Sequence, residues 1–162
     1  MTGMVEEKMV QIIELATELE NVVADLYMLF HEIFPEDADF WLKLFTEEKE
    51  HASLLQWSRK LLESTGEFPE EVVPLDTAPL IEAINKVKTC IAEFSAAKPS
   101  REAALRAAIE IEESAGEVHY QSAMGKKADS TYMETMQRLN LDDKDHAERI
   151  RAYMKEKLQV SF

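Results

Sequence analysis

The sequence predicts an all-α fold: a four-helix bundle of two antiparallel hairpins, joined by a long crossover that holds a short helix of its own. Three observations carry this. The 162-residue chain is rich in Ala, Leu, Glu and Met and has only four Gly and five Pro, a composition that favours helix. Apolar residues recur with the helical period over long segments. A helical pattern also occurs twice: Glu48-Lys49-Glu50-His51-Ala52 returns as Asp143-Lys144-Asp145-His146-Ala147. Upstream of the two copies, Ala16-Thr17-Glu18-Leu19-Glu20 pairs with Ala108-Ile109-Glu110-Ile111-Glu112. The length suits one domain, residues 1–162, with a real core.

The first bundle helix is expected from Val5 to Ile33, with Ile12, Ile13, Ala16, Leu19, Val23, Leu26 and Phe30 on one stripe. Pro35 breaks it, and Phe34-Pro35-Glu36-Asp37 reads as a short turn. The second helix runs from Asp37 to Ser64, with Trp41, Leu44, Phe45, Leu55 and Leu62 inward; Gly66 and Pro69 end it. Residues Glu67 to Pro79 read as loop. A shorter amphipathic helix follows over Leu80 to Phe94, with Ile81, Ile84, Val87, Lys88 and Ile91 at helical spacing. Pro99 separates it from the third bundle helix, Ser100 to Gly125, which Ser100 caps. Gly125-Lys126-Lys127 forms the next turn, and Asp129 or Ser130 caps the fourth helix, which ends near Leu158. The first and last links are short, so each pair of helices packs antiparallel. The middle link is long, which sets this topology apart from a simple up-down-up-down bundle.

Composition excludes several functions. The net charge is -14, from 32 acids against 18 bases, which disfavours nucleic acid and anionic membrane as partners. No apolar run is long enough to span a bilayer, and the N-terminus turns acidic at once, so the expected location is the cytoplasm by default. The single cysteine, Cys90, excludes an internal disulfide and four-thiolate iron sites; it reads as a buried structural thiol. The eight methionines, Met124, Met133, Met136 and Met154 among them, read as core filling.

Helical phase then selects among the acids. Glu20, Glu48, Glu112 and Asp143 fall inside the apolar stripes of their helices, as do His51 and His146. Glu18, Glu47, Glu50, Glu110 and Glu113 fall outside, and Asp142 sits at an edge. A lone buried carboxylate costs several kcal/mol or takes up a proton. Four that converge repel one another, and a bound cation pair reverses that sign. A carboxylate and an imidazole at i,i+3 give one helix two ligands on one face. The expected metal ligands are therefore Glu20, Glu48, His51, Glu112, Asp143 and His146. Oxygen-rich ligation with one imidazole per metal suits iron or manganese better than copper, and does not impose zinc's closed tetrahedron. Tyr27 and His119 occupy the same slot, seven residues after the inward Glu of their helices. Tyr27 is a core phenol, a hydrogen-bond donor to a ligand or a redox-active phenol; His119 is a third imidazole, a donor behind the ligands, or a core histidine. His31, one turn beyond Tyr27, reads as a helix-end group.

On these residues the chain resembles the ferritin-like superfamily, and within it the diiron domain of rubrerythrins, over almost its whole length. The resemblance implies two irons held by one Glu, Glu-x-x-His, one Glu and Glu-x-x-His in chain order. Glu20, then Glu48 with His51, then Glu112, then Asp143 with His146 match that pattern, and Tyr27 matches a family tyrosine of the first helix. It further implies that the carboxylates of the second and fourth helices bridge the metals. The implied activity is that of a peroxidase or oxidase, reducing hydrogen peroxide or dioxygen; a homodimer is expected, because the family commonly pairs bundles. Four features depart from the family. Asp143 stands where Glu is usual and begins ~1.5 Å further from the metal. Ala115 replaces an additional Glu, His119 replaces an aromatic, and no rubredoxin domain accompanies the bundle. Electrons are therefore expected from a separate protein or a small reductant. An iron-storage protein with ferroxidase-like entry, a catalytically silent metal-sensing bundle, and manganese in place of iron are the alternatives.

Overall fold

The computed structural model describes the backbone of residues 2–66, 76–123 and 131–159, and their side chains except at 2, 4, 5, 116–123 and 131–133. It is a ferritin-like all-helical bundle. Four long helices, α1 (Thr2–Ile33), α2 (Ala38–Thr65), α4 (Arg101–Ala123) and α5 (Thr131–Leu158), make the bundle, and α3 (Ala78–Ala96) lies in the crossover. α1 packs on α2 and α4 on α5, while α2 meets α5 across the seam between the hairpins. α3 runs along α1 and reaches α4. The pairing of α1 with α2 is antiparallel: His51 meets Glu20, and Arg59, further along α2, meets Glu14, earlier in α1.

The helix ends follow local chemistry. Pro35 opens a single 3-10 turn, Pro35–Asp37, and α2 starts one residue later than the pattern suggests, at Ala38. Gly66 closes α2 in the left-handed region at φ 67°, and its N–H reaches the Leu62 carbonyl at 2.9 Å. Ser100 caps α4 as expected, its Oγ accepting from the Ala103 N–H at 3.1 Å. Pro69, the Gly125-Lys126-Lys127 turn, the caps at Asp129 and Ser130, and the side chains of Met124 and Met133 lie outside the described residues.

The crossover helix differs in phase from its sequence reading. Its buried face is Leu80, Ala83, Ile84 and Val87. Ile81 is 43% exposed, and Lys88 faces outward, bound to Glu18 at 2.9 Å. A stripe that starts on Leu80 keeps Ile84 and Val87 inside and rotates Ile81 out. Cys90 is only half-buried, and burial pushes its thiol up to about 11, which leaves it inert as a nucleophile.

The core holds Ile13, Leu19, Leu26, Phe30, Trp41, Leu44, Leu55 and Leu105, each fully buried. Burial of one such side chain contributes about 1.5–3 kcal/mol. Met136 and Met154 fill core space as the sequence suggests. One polar tie crosses the bundle end. Arg101 donates to both oxygens of Asp37, at 2.8 and 2.6 Å, and Tyr153 OH donates to Asp37 Oδ1 at 2.6 Å. This links the α1–α2 turn to the start of α4 and the last turns of α5. Burial raises the Asp37 pKa, but hydrogen bonds from Arg101 and Tyr153 outweigh it and hold the carboxylate below its ordinary value. His31 is a helix-end group as expected, its Nδ1 lying 2.8 Å from the Ala38 carbonyl oxygen.

Candidate metal centre

The six side chains that helical phase selects meet in the middle of the bundle. Glu20, Glu48, Glu112 and Asp143 are each 1% exposed, His146 is 2% and His51 is 6% exposed. They form two overlapping groups. Glu20, Glu48, His51 and Asp143 bring ligand atoms within 4.8 Å of one another, and so do Glu48, Glu112, Asp143 and His146. Each group offers three carboxylates and one imidazole. Glu48 and Asp143 belong to both, as bridging carboxylates of a dinuclear centre must. Asp143 reaches both groups although it is one methylene shorter than Glu.

The donor atoms are aimed as ligands. His51 Nδ1 lies 3.1 Å from Glu20 Oε2 and 3.4 Å from Glu48 Oε2. His146 Nδ1 lies 2.7 Å from Glu48 Oε1 and 3.2 Å from Glu112 Oε1. The two oxygens of Glu48 therefore address different imidazoles. Glu48 Oε1 is buried and, despite the short distance to His146, makes no hydrogen bond. A buried acceptor without a donor costs about 1–3 kcal/mol. A cation placed among these atoms satisfies it, so the residues fit a metal pair. The two imidazole rings are nearly parallel, 5.5 Å apart at 20°.

Without metal, protons supply the missing positive charge. Burial lowers the affinity of both imidazoles for a proton, but the facing carboxylates overcome this. Glu20 and Glu48 hold His51 up to about 11, and Glu112, Asp143 and Glu47 hold His146 up to about 9. Burial, then the charges of Glu112 and Glu20, push the Glu48 carboxyl well above its ordinary range. Metal binding must expel these protons.

Tyr27 is fully buried, and its OH donates a very short hydrogen bond to Glu112 Oε1. Burial, reinforced by the charges of Glu112 and Glu48, raises its pKa well above 10.0, so the phenol stays neutral. Tyr27 is thus a core phenol that also donates to a carboxylate of the cluster. The backbone of His119 is part of α4, but its side chain lies outside the described residues. Ala115 is buried at 3% exposure.

Two residues that helical phase set aside stand directly behind the ligands. Asp142 Oδ2 lies 3.1 Å from His51 Nε2, and Glu47 Oε2 lies 3.5 Å from His146 Nε2. The arrangement is reciprocal: an α5 acid holds the α2 histidine, and an α2 acid holds the α5 histidine. Glu47 is fixed in turn by Arg149 at 2.9 Å. An acid at each Nε2 favours a proton there, and leaves Nδ1 of each ring toward the cluster, where it could bind a cation. Glu47 lies off the apolar stripe, as its phase suggests, and is partly exposed at 28%. The sequence carried a signal for the pair, since an acid immediately precedes the ligand acid in both copies, Glu47-Glu48 and Asp142-Asp143. On this side an open cleft of about 670 Å³ between α2 and α5 is lined by Glu47, His51, Asp142 and His146, with Lys49 and Arg138 at its rim.

Compared with family models, curated proteins and solved structures, the chain matches none. The metal site therefore stands on the chain's own geometry. Among the described residues, no helix is long and apolar enough to cross a membrane.

Proposed function

We propose that this chain is a non-haem diiron oxidoreductase of the rubrerythrin type, which reduces hydrogen peroxide or dioxygen and is resupplied with electrons by an external donor protein or small reductant. The observation that carries the reading is the sharing of Glu48 and Asp143 between two buried three-carboxylate, one-imidazole groups. Oxygen-rich sets of this kind suit iron, with manganese next. When bound, a ferrous pair supplies two electrons to an oxygen–oxygen bond.

The chain's own residues do the rest. Glu20 with His51 and Glu112 with His146 would hold one metal each, and Glu48 and Asp143, common to both groups, would serve both. Four carboxylates neutralise the charge of two divalent cations. Asp142 and Glu47 keep both rings turned inward. Tyr27 holds Glu112 by Oε1, and its neutral phenol is a proton source beside the centre. The near-complete burial of the six ligands keeps bulk water away. A homodimeric assembly belongs to the same proposal.

The test is anaerobic reconstitution with ferrous iron, elemental analysis, and an optical spectrum before and after peroxide. Two irons per chain, one for each ligand group, and an oxo-bridge charge-transfer band after oxidation are expected. No bound metal after reconstitution overturns the reading.

A further inference from the structure

A continuous file of aromatic rings leads away from the site. Tyr27, hydrogen-bonded to the ligand Glu112, lies 5.4 Å from Trp41, centroid to centroid. Trp41 lies 5.1 Å from Phe40, edge-on, and Phe40 stacks on Tyr153 at 3.8 Å and 9°. Tyr27 and Trp41 are fully buried, and Tyr153 is half-buried at the bundle surface. We propose that Tyr27, Trp41 and Tyr153 form a relay that carries one-electron oxidising equivalents from the metal centre to the protein surface. The proposal rests on the oxidative function stated above.

Three features set the direction. Electron tunnelling falls off exponentially with distance, so rings in contact relay charge far faster than one long jump through aliphatic core. Phe40 is too hard to oxidise to hold a charge, and serves as the stacked bridge between Trp41 and Tyr153. The proton chemistry differs along the file. Trp41 Nε1 is buried and has no hydrogen-bond partner, so an oxidised Trp41 has nowhere to send its proton and remains a strongly oxidising cation. Tyr153 has a base in place, because its OH already donates to the Asp37 carboxylate at 2.6 Å. Trp41 is thus a relay and Tyr153 a terminus.

Dioxygen takes up four electrons and four protons on the way to water, and a ferrous pair would supply two of the electrons. Two one-electron equivalents are left for the protein to supply. Trp41 gives one electron to the centre across the Tyr27 ring and regains it from Tyr153, and the second follows the same path once Tyr153 is refilled. The Tyr153 phenol loses that electron from its ring and its O–H proton to Asp37, which leaves a neutral tyrosyl radical. A one-electron reductant in solution then refills Tyr153 at the surface, without access to the buried centre.

The full chain, loaded with ferrous iron under nitrogen, is mixed with one equivalent of dioxygen and no reductant. It is freeze-quenched for electron paramagnetic resonance and digested for residue-resolved mass spectrometry. The optical change of iron oxidation is followed in parallel, and zinc-loaded protein is the redox-inert control. In the wild type a tyrosyl radical and oxidation products at Tyr153 are expected, and neither with zinc. Trp41→Phe should lose both while its iron still oxidises. Tyr153→Phe, which removes one hydroxyl and folds on the same ring packing, should shift the oxidation products to Trp41. Iron oxidation with no product at either residue overturns the relay and leaves the diiron reading standing. Products at Tyr153 that persist in Trp41→Phe, or that appear with zinc, also overturn it. Iron that binds but is not oxidised removes the function, and the relay with it.

Discussion

Glu48→Gln should change the stability of the protein in opposite directions with and without metal. In the metal-free chain Glu48 is 1% exposed, its Oε1 has no hydrogen-bond donor, and its carboxyl is pushed toward the protonated form. The amide is a neutral isostere of that form, and its N–H₂ can donate to Glu20 or Glu112. The amide avoids the cost of placing a proton on, or a charge at, the buried carboxyl beside Glu112 and Glu20, worth about 1–3 kcal/mol, which in a domain of this size raises Tm by roughly 2–4 °C per kcal/mol. The metal-bound state responds oppositely. A ligand at about 100 times its Kd stabilises by about 2.7 kcal/mol, a Tm rise of roughly 5–11 °C by the same conversion. Glutamine lacks the second anionic oxygen and cannot bridge, so most of that rise should vanish. Thermal melts of both proteins under nitrogen, with and without excess ferrous iron, measure all four values. A variant that melts well below wild type without metal, or one that keeps the full metal-induced rise, would refute the argument that this carboxylate is held for a cation.

Asp142→Asn and Glu47→Gln should each weaken metal binding by about 10–100-fold, since they orient the ligand imidazoles from behind; ferrous titration measures this, and Glu50→Gln, on an exposed position, should have no effect. Asp143→Glu should keep two metals but tighten the second, because the longer side chain alters the reach of a group common to both ligand sets; titration followed by stopped-flow mixing with peroxide reads affinity and rate. Metal uptake should release protons and weaken as pH falls, because His51 and His146 hold theirs up to about 11 and about 9; a pH indicator in weakly buffered solution detects the release. Asp37→Ala should cost about 2 kcal/mol, leaving Arg101 and Tyr153 without their acceptor. The folded pKa of Asp37 lies below 3.8, so its contribution is present above the unfolded value and lost as pH falls through the folded one. The gap between wild type and variant in denaturant melts should therefore be constant at neutral pH and close in strong acid.

The bundle and the cluster of six buried side chains were legible because both are written in periodicity. A carboxylate on an apolar stripe is an anomaly that the helical repeat exposes, and duplication of the anomaly made Glu20, Glu48, Glu112 and Asp143 stand out from 32 acids. What periodicity conceals is partnership between helices. Glu47 and Asp142 have outward phases on their own helices, and only the closeness of α2 to α5 brings them onto the opposite histidines. The phase of α3 was off by one position because both Leu80 and Ile81 are apolar, and only contact with α1 decides between them. The tie of Asp37 to Arg101 and Tyr153 joins residues far apart in the chain, and no local pattern announces it.

The overlap of the two ligand groups bears on how metal leaves and enters. The first group takes Glu20, Glu48 and His51 from α1 and α2 and borrows Asp143 from α5; the second takes Glu112, Asp143 and His146 from α4 and α5 and borrows Glu48 from α2. Each hairpin is thus three-quarters of a mononuclear site, completed by one residue on loan from the other. Cations held there would act as rivets through the seam, so the residence time of bound metal should track the breathing of the two halves as well as the intrinsic lability of the ions.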